Sequence, residues 1–255
     1  MNDKVKVEVL ASVMNQKDYK IIEKMNINTD AVIINQCKEN KISFLNKDGN
    51  IIKFFCLDER GIGLSRNTAL MRASGDIVIF CDEDSILVDN YAQIIINEFK
   101  KNKKADMIVF NVPSLNKQRP TYNIKKNKRV HRYNCLRYGA VSFAIKLEKI
   151  REYNVYFSLL FGGGARYGSG EDSLFIYNFI KRGGRVFSST KIIGYVEQKD
   201  STWFCGYDKK YLKDKAILFK HLLGPYSFLY KVYFLIRNKD VYKETGILKT
   251  LKMMK

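Results

Sequence analysis

Short blocks of hydrophobic residues dominate the first half of the chain and predict strands separated by helices. Val5, Val7 and Val9 alternate with polar residues and lead into an apolar run, which predicts a first strand over residues 5–13. Between two later β-rich blocks, Asn-Lys-Asp-Gly at residues 46–49 predicts a hairpin turn. The remaining blocks predict strands over residues 31–34, 42–44, 51–55, 76–80 and 107–110, and helices over residues 18–25, 64–73 and 91–99.

Strand and helix signals return in the second half. An apolar run over residues 138–145 predicts a strand, and a glycine-rich stretch follows over residues 162–170. Residues 173–180 are apolar on all sides, which predicts a buried helix. Two final strands are predicted over residues 185–187 and 192–196. This alternation is typical of an α/β fold with a mostly parallel central sheet flanked by helices.

The C-terminal part has a different pattern. From Lys209 onward, apolar and aromatic residues recur with helical spacing in two runs that Gly224 and Pro225 interrupt. They predict two amphipathic helices with an aromatic stripe and a basic opposite face. The stripe fits either packing on the rest of the protein or contact with an anionic membrane surface. We therefore expect an α/β domain over residues 1–205 and a basic helical extension over residues 206–255.

The charge balance indicates an anionic partner. The 255 residues include 45 Lys and Arg against 26 Asp and Glu, a formal net charge of +19. Such an excess is typical of proteins that bind nucleic acid, anionic membranes or phosphate-rich substrates. Eleven basic residues and one acid lie within residues 100–132, and the lack of apolar periodicity from residue 111 predicts a long basic loop.

Several classes of protein are not expected. The chain has no stretch of 18 apolar residues, and its N-terminus lacks a basic-then-apolar leader, so we predict a cytoplasmic protein without a membrane-spanning helix. No helix-turn-helix, RNP-like or zinc-finger pattern occurs, so nucleic acid is not an expected partner.

Three acidic residues, Asp82, Glu83 and Asp84, follow the strand predicted over residues 76–80. Ligands bind at the carboxyl ends of strands in open α/β sheets, and oxygen ligands suit Mg²⁺ or Mn²⁺ together with substrate phosphates. The same residues also suit the start of the next helix, where Asp84 would be a cap. The pattern therefore allows a metal site at Asp82 and Asp84, a helix cap, or both.

Two further motifs carry candidate chemistry. Gly170, Glu171 and Asp172 precede the buried helix, where an acid would be either a helix cap or a general base beside the glycine-rich stretch. Gly-Ile-Gly-Leu-Ser-Arg-Asn at residues 61–67 opens a helix with an arginine in its first turn. That arginine suits an anionic ligand or simple solvation.

The order and spacing of these motifs resemble those of the family 2 glycosyltransferases with the GT-A fold. The resemblance extends over residues 5–196 and is most specific over residues 61–87, where the arginine-bearing helix, a hydrophobic strand and the Asp-x-Asp motif follow one another. Residues 197–207, with Ser-Thr-Trp-Phe, are similar to bacterial members that build cell-surface glycans. The resemblance implies inverting transfer from a nucleotide-diphosphate sugar, with a UDP-sugar as the expected donor. The implied acceptor is a hydroxyl of a glycan or lipid-linked molecule.

The resemblance also implies roles for individual residues. Asp82 and Asp84 match the Asp-x-Asp motif that holds Mn²⁺ or Mg²⁺ on the donor diphosphate. Asp172, with Glu171 beside it, matches the catalytic base. The residues implied to contact the donor are Ser12, Asn15, Asn35, Gln36, Arg66, Asn67, Asp82 and Glu83.

Candidates for acceptor contact are weaker. Trp203 suits either stacking on an acceptor sugar or packing in the core. Glu197 and Gly170 complete this set, Glu197 as a support for Trp203 and Gly170 as part of the approach to the predicted base.

The sequence departs from the family pattern in two places. Members usually carry Asp after the second strand, where this chain has Asn35, Gln36 and Cys37; an amide there can still hydrogen-bond a base edge. The first strand ends at residues 12–15 without the family's proline. An inactive module of this fold therefore stays among the alternatives. The others are a metal-dependent nucleotidyltransferase and a basic protein that binds nucleic acid or membranes.

Overall fold

The computed structural model describes residues 5–198, 208–243 and 246–254. The strands are β1 (Val7–Met14), β2 (Ala31–Gln36), β3 (Lys41–Lys47), β4 (Asn50–Leu57), β5 (Ile77–Asp82), β6 (Ser85–Leu87), β7 (Met107–Asn111), β8 (Arg129–Val130), β9 (Phe143–Lys146), β10 (Val186–Ile192) and β11 (Gly194–Val196). The helices are α1 (Ile21–Lys24), α2 (Ile62–Arg72), α3 (Tyr91–Lys101), α4 (Leu147–Tyr153), α5 (Glu171–Lys181), α6 (Lys209–Leu223), α7 (Ser227–Arg237) and α8 (Ile247–Met253).

A nine-stranded sheet in the described part of the chain has the order β3-β4-β2-β1-β5-β9-β7-β10-β8. Strands β4, β2, β1 and β5 form a continuous parallel block, and β7 pairs with β10 in parallel. Strand β9 runs antiparallel between β5 and β7. The predicted α/β class with a central sheet and flanking helices is confirmed, and the parallel block is the part that the sequence pattern describes best.

Apolar residues on both faces of the sheet explain the continuous hydrophobic strands. Along β1, Val9 and Ala11 pack into one hydrophobic cluster with α1 and α3, whereas Leu10 packs into a second cluster with α2, α4 and α5. All six residues of β2 are buried. Parallel strands covered on both faces lack the hydrophobic–polar alternation of a half-exposed strand.

The strand predicted over residues 138–145 is shorter in the structure, and the difference has a local cause. Residues 140–142 form a 3₁₀ turn, closed by a hydrogen bond from the Ser142 backbone N–H to the Gly139 carbonyl. The Ala140 N–H donates to Asp172 instead of to a neighbouring strand. Regular pairing therefore starts only at Phe143.

The C-terminal helices form in the positions that the periodicity predicts, with a 3₁₀ turn at Gly224–Tyr226 between α6 and α7. Leu218 and Leu222 of α6 share a hydrophobic cluster with Phe161 and Leu174, so this helix packs on the α/β domain. Helix α8 was not predicted. The expected boundary at residue 205 lies outside the described residues. Among the described helices, none has the length and hydrophobicity needed to span a membrane.

Candidate active site

A cleft of about 410 Å³ opens at the carboxyl ends of β1 and β5. Ser12 and Asp82 are register partners at the ends of these two strands. The starts of α2 and α5 and the glycine-rich loop over residues 162–170 form the remaining walls. The cleft therefore lies where open α/β sheets bind their ligands.

The side chain of Arg66 lies at the centre of the cleft floor and is only 3% exposed. Its Nη1 donates to Asp172 Oδ1 at 2.6 Å and to Glu171 Oε1 at 3.2 Å, and its Nη2 donates to both carboxylate oxygens of Asp82 at 3.0 and 3.1 Å. Burial opposes the positive charge, but the three carboxylates, Asp172 first, outweigh it and raise the pKa of Arg66. One guanidinium thus joins the two acidic motifs, which are far apart in the sequence.

The first turn of α2 is anchored to both neighbouring strands. The hydroxyls of Ser65 and Ser12 form a hydrogen bond of 2.9 Å, which ties the helix to β1. The Gly61 N–H donates to Gln36 Oε1 at 2.9 Å, which ties the residue before the helix to β2. Both Ser12 and Gln36 also line the cleft. Their hydrogen bonds hold the helix turn that carries Arg66 against the ends of the two strands.

Asn67 supports the site from outside the cleft. Its amide accepts a hydrogen bond from the Phe157 N–H and donates to the Phe157 carbonyl, both at 2.9 Å. This clamp holds the ring of Phe157 with its centroid 5.2 Å from the Arg66 guanidinium carbon, a cation–π contact. The contacts of Asn67 therefore position the aromatic ring that packs against Arg66.

Asp172 and Glu171 begin helix α5 and have different surroundings. Asp172 Oδ2 accepts a hydrogen bond from the Ala140 N–H at 3.0 Å, while its other oxygen contacts Arg66. Glu171 Oε2 accepts from the Gly170 N–H at 3.1 Å. Burial, and then the charge of Asp172, raises the pKa of Glu171 to about 7, although Arg66 opposes the shift.

Two glycines are required around these acids. A methyl group at Gly162, where φ is +106°, would lie 2.6 Å from Ile62 Cγ2 and 2.8 Å from Glu171 Cδ. At Gly170, where φ is +125°, it would lie 2.7 Å from the side chain of Leu218. Glycine tolerates both this backbone conformation and this close approach. The glycine-rich loop therefore packs tightly between α2, α5 and α6.

The Asp82–Glu83–Asp84 turn connects several parts of the site. The Glu83 carboxylate accepts a hydrogen bond from the Met14 N–H at 3.0 Å, which links the ends of β5 and β1. Asp84 Oδ2 accepts from the Gln198 N–H at 3.2 Å. Burial, and then the charge of Asp82, raises the pKa of Asp84. The turn leads into the short strand β6, so Asp84 is not the cap of a helix.

The chemistry of this turn fits a divalent cation. In the described residues no group of three or more His, Cys, Asp or Glu side chains is arranged as a metal cage. However, Asp82 and Asp84 both line the cleft, and a cation beside them would offset the repulsion that raises the pKa of Asp84. One or two carboxylates completed by substrate phosphates and water are a common set of Mg²⁺ ligands.

Asn15 and Asn35 lie beyond the cleft, at the ends of β1 and β2. The Asn35 amide forms two hydrogen bonds with the backbone of Gln16, each 2.9 Å long. Asn15 adopts a left-handed conformation with φ of +51° and lines a neighbouring cavity of about 480 Å³ with Lys38 and Tyr19. Asn35 thus shapes the loop that carries Asn15 instead of facing the cleft itself.

The predicted acceptor residues are spread out. Gly170 precedes α5 beside the cleft, and Glu197 forms an ion pair with Lys24 at 3.4 Å behind the Asp82–Asp84 turn. Trp203 lies outside the described residues.

Sequence reasoning missed several contributors to the cleft. Arg60, Arg119 and Ser169 line it; Arg119 carried a signal as a member of the basic stretch and Ser169 as a member of the glycine-rich stretch, whereas Arg60 carried none. Helix α6 also reaches the site, because Asp214 Oδ2 accepts a hydrogen bond from the Gly168 N–H at 3.0 Å. Burial lowers the pKa of Lys215 on the same helix, and the nearby charge of Glu171 opposes that shift.

The raised pKa of Glu171 gives a stability prediction. A carboxyl whose pKa is about 7 in the folded protein, against 4.5 ordinarily, stabilises the fold fully below pH 4.5 and loses that contribution as the pH rises through 7. The charged groups that face it are Arg66, Asp172, Asp82 and Lys215. When the pH is raised from about 5 to about 8, we expect the free energy of unfolding of Glu171→Gln to rise by up to about 3 kcal/mol relative to that of wild type.

Urea unfolding at both pH values measures this difference. Glu148→Gln, at an exposed position of α4, is the control and should change equally at both pH values. If the free energies of unfolding of wild type and Glu171→Gln changed by the same amount between the two pH values, the raised pKa of Glu171 would be contradicted.

Comparisons with known proteins identify the family and the fold of this chain. The model of the family "Glycosyl transferase family 2" matches residues 7–158. A crystal structure of S. aureus TarS residues 1–349 in complex with UDP-GlcNAc is 14% identical, with a TM-score of 0.67 over 98% of this chain and 78% of that chain. Another structure of S. aureus TarS is 15% identical, with a TM-score of 0.63 over 96% of this chain and 44% of that chain.

The fold likeness to TarS establishes the GT-A architecture at this low identity. No curated protein matches the sequence significantly. The family model covers more than half of the chain, and its range includes α2 and the Asp82–Asp84 turn. The chain therefore belongs to glycosyltransferase family 2.

Proposed function

We propose that this protein transfers a sugar from a UDP-sugar to a hydroxyl of a surface glycan or its lipid-linked precursor, with inversion at the anomeric carbon. The observation that carries the proposal is the joining of Asp82 and Asp172 by Arg66 on the floor of one cleft. Family membership supports glycosyl transfer. The complexes of S. aureus TarS with UDP-GlcNAc and with UDP support this class of donor.

The donor diphosphate would lie over the Asp82–Asp84 turn, with the nucleoside directed toward Ser12 and Gln36 at the ends of β1 and β2. Asp82 and Asp84 would hold Mn²⁺ or Mg²⁺. Such an ion, when bound, neutralises negative charge on the departing diphosphate. Asn15 and the neighbouring cavity lie next to this position and offer room for the nucleobase of the donor.

Asp172 is the best-placed general base. It lines the donor cleft and also a second cavity on the other side of the Asp82–Asp84 turn, whereas Glu171 lines only the donor cleft. The acceptor oxygen attacks the anomeric carbon as the bond to the diphosphate oxygen breaks, and Asp172 takes the hydroxyl proton. Arg66 and the Ala140 N–H each contact one oxygen of this carboxylate and so fix its orientation.

The C-terminal helices suggest where the reaction takes place. Phe228, Leu229 and Ile236 on one face of α7 are 62%, 67% and 58% exposed. The residues from 209 to the end include twelve Lys and Arg against three acids. An exposed apolar face with basic surroundings is the composition of helices that lie in an anionic membrane interface. We propose that the protein binds the cytoplasmic face of the membrane through α7.

Replacing the proposed base tests the mechanism. Asp172→Asn keeps an oxygen for Arg66 but cannot accept the acceptor proton, so we expect sugar transfer, followed as UDP release with a panel of glycan acceptors, to fall by about 10²-fold or more. UDP binding should persist. Asp58→Asn, at an exposed position, is the control. Transfer at the wild-type rate in Asp172→Asn would show that Asp172 is not the base. No UDP binding and no transfer by wild type would favour the inactive module.

Removing one proposed metal ligand tests donor binding. We expect Mn²⁺ to strengthen UDP binding to wild type about tenfold or more in calorimetric titrations, and EDTA to reverse the gain. Asp84→Ala should remove the metal dependence while the exposed variant Asp58→Ala keeps it. Equal UDP affinity with Mn²⁺ and with EDTA in wild type would refute the metal site.

Vesicle sedimentation tests membrane binding. Wild type should sediment with vesicles that contain phosphatidylglycerol, and added salt should release it, because the attraction is partly electrostatic. Phe228→Asp should lower the bound fraction severalfold. Phe44→Asp alters a side chain that is 69% exposed on β3 and should have no effect. If the bound fraction changed neither with lipid charge, nor with salt, nor in Phe228→Asp, α7 would be excluded as the membrane contact.

A further inference from the structure

A cavity of about 400 Å³ lies on the side of Asp172 away from the donor cleft. It shares Asp82, Asp84 and Asp172 with the donor cleft, so the two spaces meet at the proposed base. Its outer wall contains Tyr122 and Arg137.

A second cavity of about 370 Å³ continues from this wall to helix α7. Tyr122 and Arg137 line both cavities, and Tyr233 and Arg237 of α7 line the far side of the second one. The two cavities therefore form one groove that runs from Asp172 to α7. Tyr233 belongs both to this groove and to the exposed face of α7.

The two ends of the groove carry opposite charges. Asp82, Asp84 and Asp172 lie at the inner end, whereas none of the described residues that line the outer cavity is an Asp or Glu. Arg137 donates a hydrogen bond to the Tyr122 hydroxyl at 3.1 Å, and its guanidinium carbon lies 4.9 Å from the centroid of that ring. In the described part of the chain, neither Arg137 nor Arg237 has a carboxylate partner. Two guanidinium groups without counter-charges among the described residues favour an anion in the outer cavity.

Tyrosine rings line the groove around these arginines. Tyr122 packs edge-on against Tyr138 with ring centroids 5.6 Å apart, and Tyr133 and Tyr230 line the outer cavity. Tyrosine offers an apolar face for a sugar ring and a hydroxyl for its polar edge. Arginine is the side chain best suited to bidentate contact with phosphate.

We infer that this groove is the acceptor site and that it binds a phosphate-bearing glycan, with the phosphate on Arg137 and Arg237 and a sugar on Tyr122. The inference rests on the proposed function and specifies its acceptor. Charge sets the orientation: Arg137 and Arg237 attract phosphate at the outer end, so the anionic part of the acceptor lies outward and a hydroxyl reaches Asp172. The phosphate belongs either to the glycan itself or to a lipid carrier seated at α7.

Binding measurements in saturating UDP test this site, because UDP fills the donor cleft. The probes are N-acetylglucosamine, N-acetylglucosamine 1-phosphate, and the same sugar joined by a diphosphate to a farnesyl chain in detergent micelles. Wild type should bind the sugar phosphate more tightly than the neutral sugar. Arg137→Ala should weaken binding of the sugar phosphate about tenfold and affect binding of the neutral sugar much less, because the neutral sugar lacks the phosphate that Arg137 would contact. Arg137→Lys should recover part of the loss, since it restores the charge without the bidentate fork.

Arg132→Ala removes an exposed arginine outside the groove and is the matched control. Equal affinity of wild type for the neutral and phosphorylated sugars, or unchanged binding in Arg137→Ala, would overturn the inference. If wild type binds UDP but none of the three groove probes, the donor site is supported and only the acceptor site is refuted. If wild type does not bind UDP, the proposed function itself is refuted.

The farnesylated probe distinguishes the two sources of phosphate. If wild type binds this probe more tightly than the soluble sugar phosphate, and Tyr233→Ala removes the difference, the groove binds an acceptor on a lipid carrier. Equal affinity for the farnesylated probe and the soluble sugar phosphate supports the groove with a phosphate in the glycan.

Discussion

The ion cluster around Arg66 is the constraint on which the cleft depends. A buried guanidinium without partners would cost several kcal/mol, and three carboxylates without a cation would repel one another. Because Arg66 lies on α2, Asp82 on β5 and Asp172 on α5, satisfying these charges fixes the relative positions of three elements. Three acidic side chains around one guanidinium leave an excess of negative charge, and burial followed by the charge of Asp172 raises the pKa of Glu171. This remaining negative charge suits a divalent ion next to Asp82.

The sequence predicts best those features whose cause is local. The parallel block β4-β2-β1-β5 is visible as apolar runs because both faces are buried. Asp82 is visible because it follows a recognisable strand, and Asp172 because it precedes a recognisable helix. The contacts of Asn67 could not be predicted, since its partner is the backbone of a residue 90 positions away. The antiparallel direction of β9 was also hidden, because an apolar run does not specify the direction of a strand.

Helix α6 shows a different limit of sequence reasoning. Its periodicity predicts an amphipathic helix but not what the apolar face covers. In the structure, Leu218 fills the space above Gly170, and Asp214 holds the N–H of Gly168. The C-terminal extension thus packs against the glycine-rich loop of the candidate site and also carries basic charge. A change in how α7 and α6 pack would reach the glycine-rich loop directly, so the proposed membrane contact would have a physical route to the site.

Strand β9 has a consequence for how the protein is made. Strand β7 pairs only with β9 and β10 among the described strands, and both follow it in the chain. During synthesis, β5 and β7 therefore emerge with apolar edges that have no partner until residues 143–146 arrive. Unpaired edges of this kind recruit other chains. The loop that precedes β9 carries Tyr122 and Arg137, so any lengthening of that loop to suit a larger acceptor would also prolong the interval in which the nascent sheet is open to aggregation.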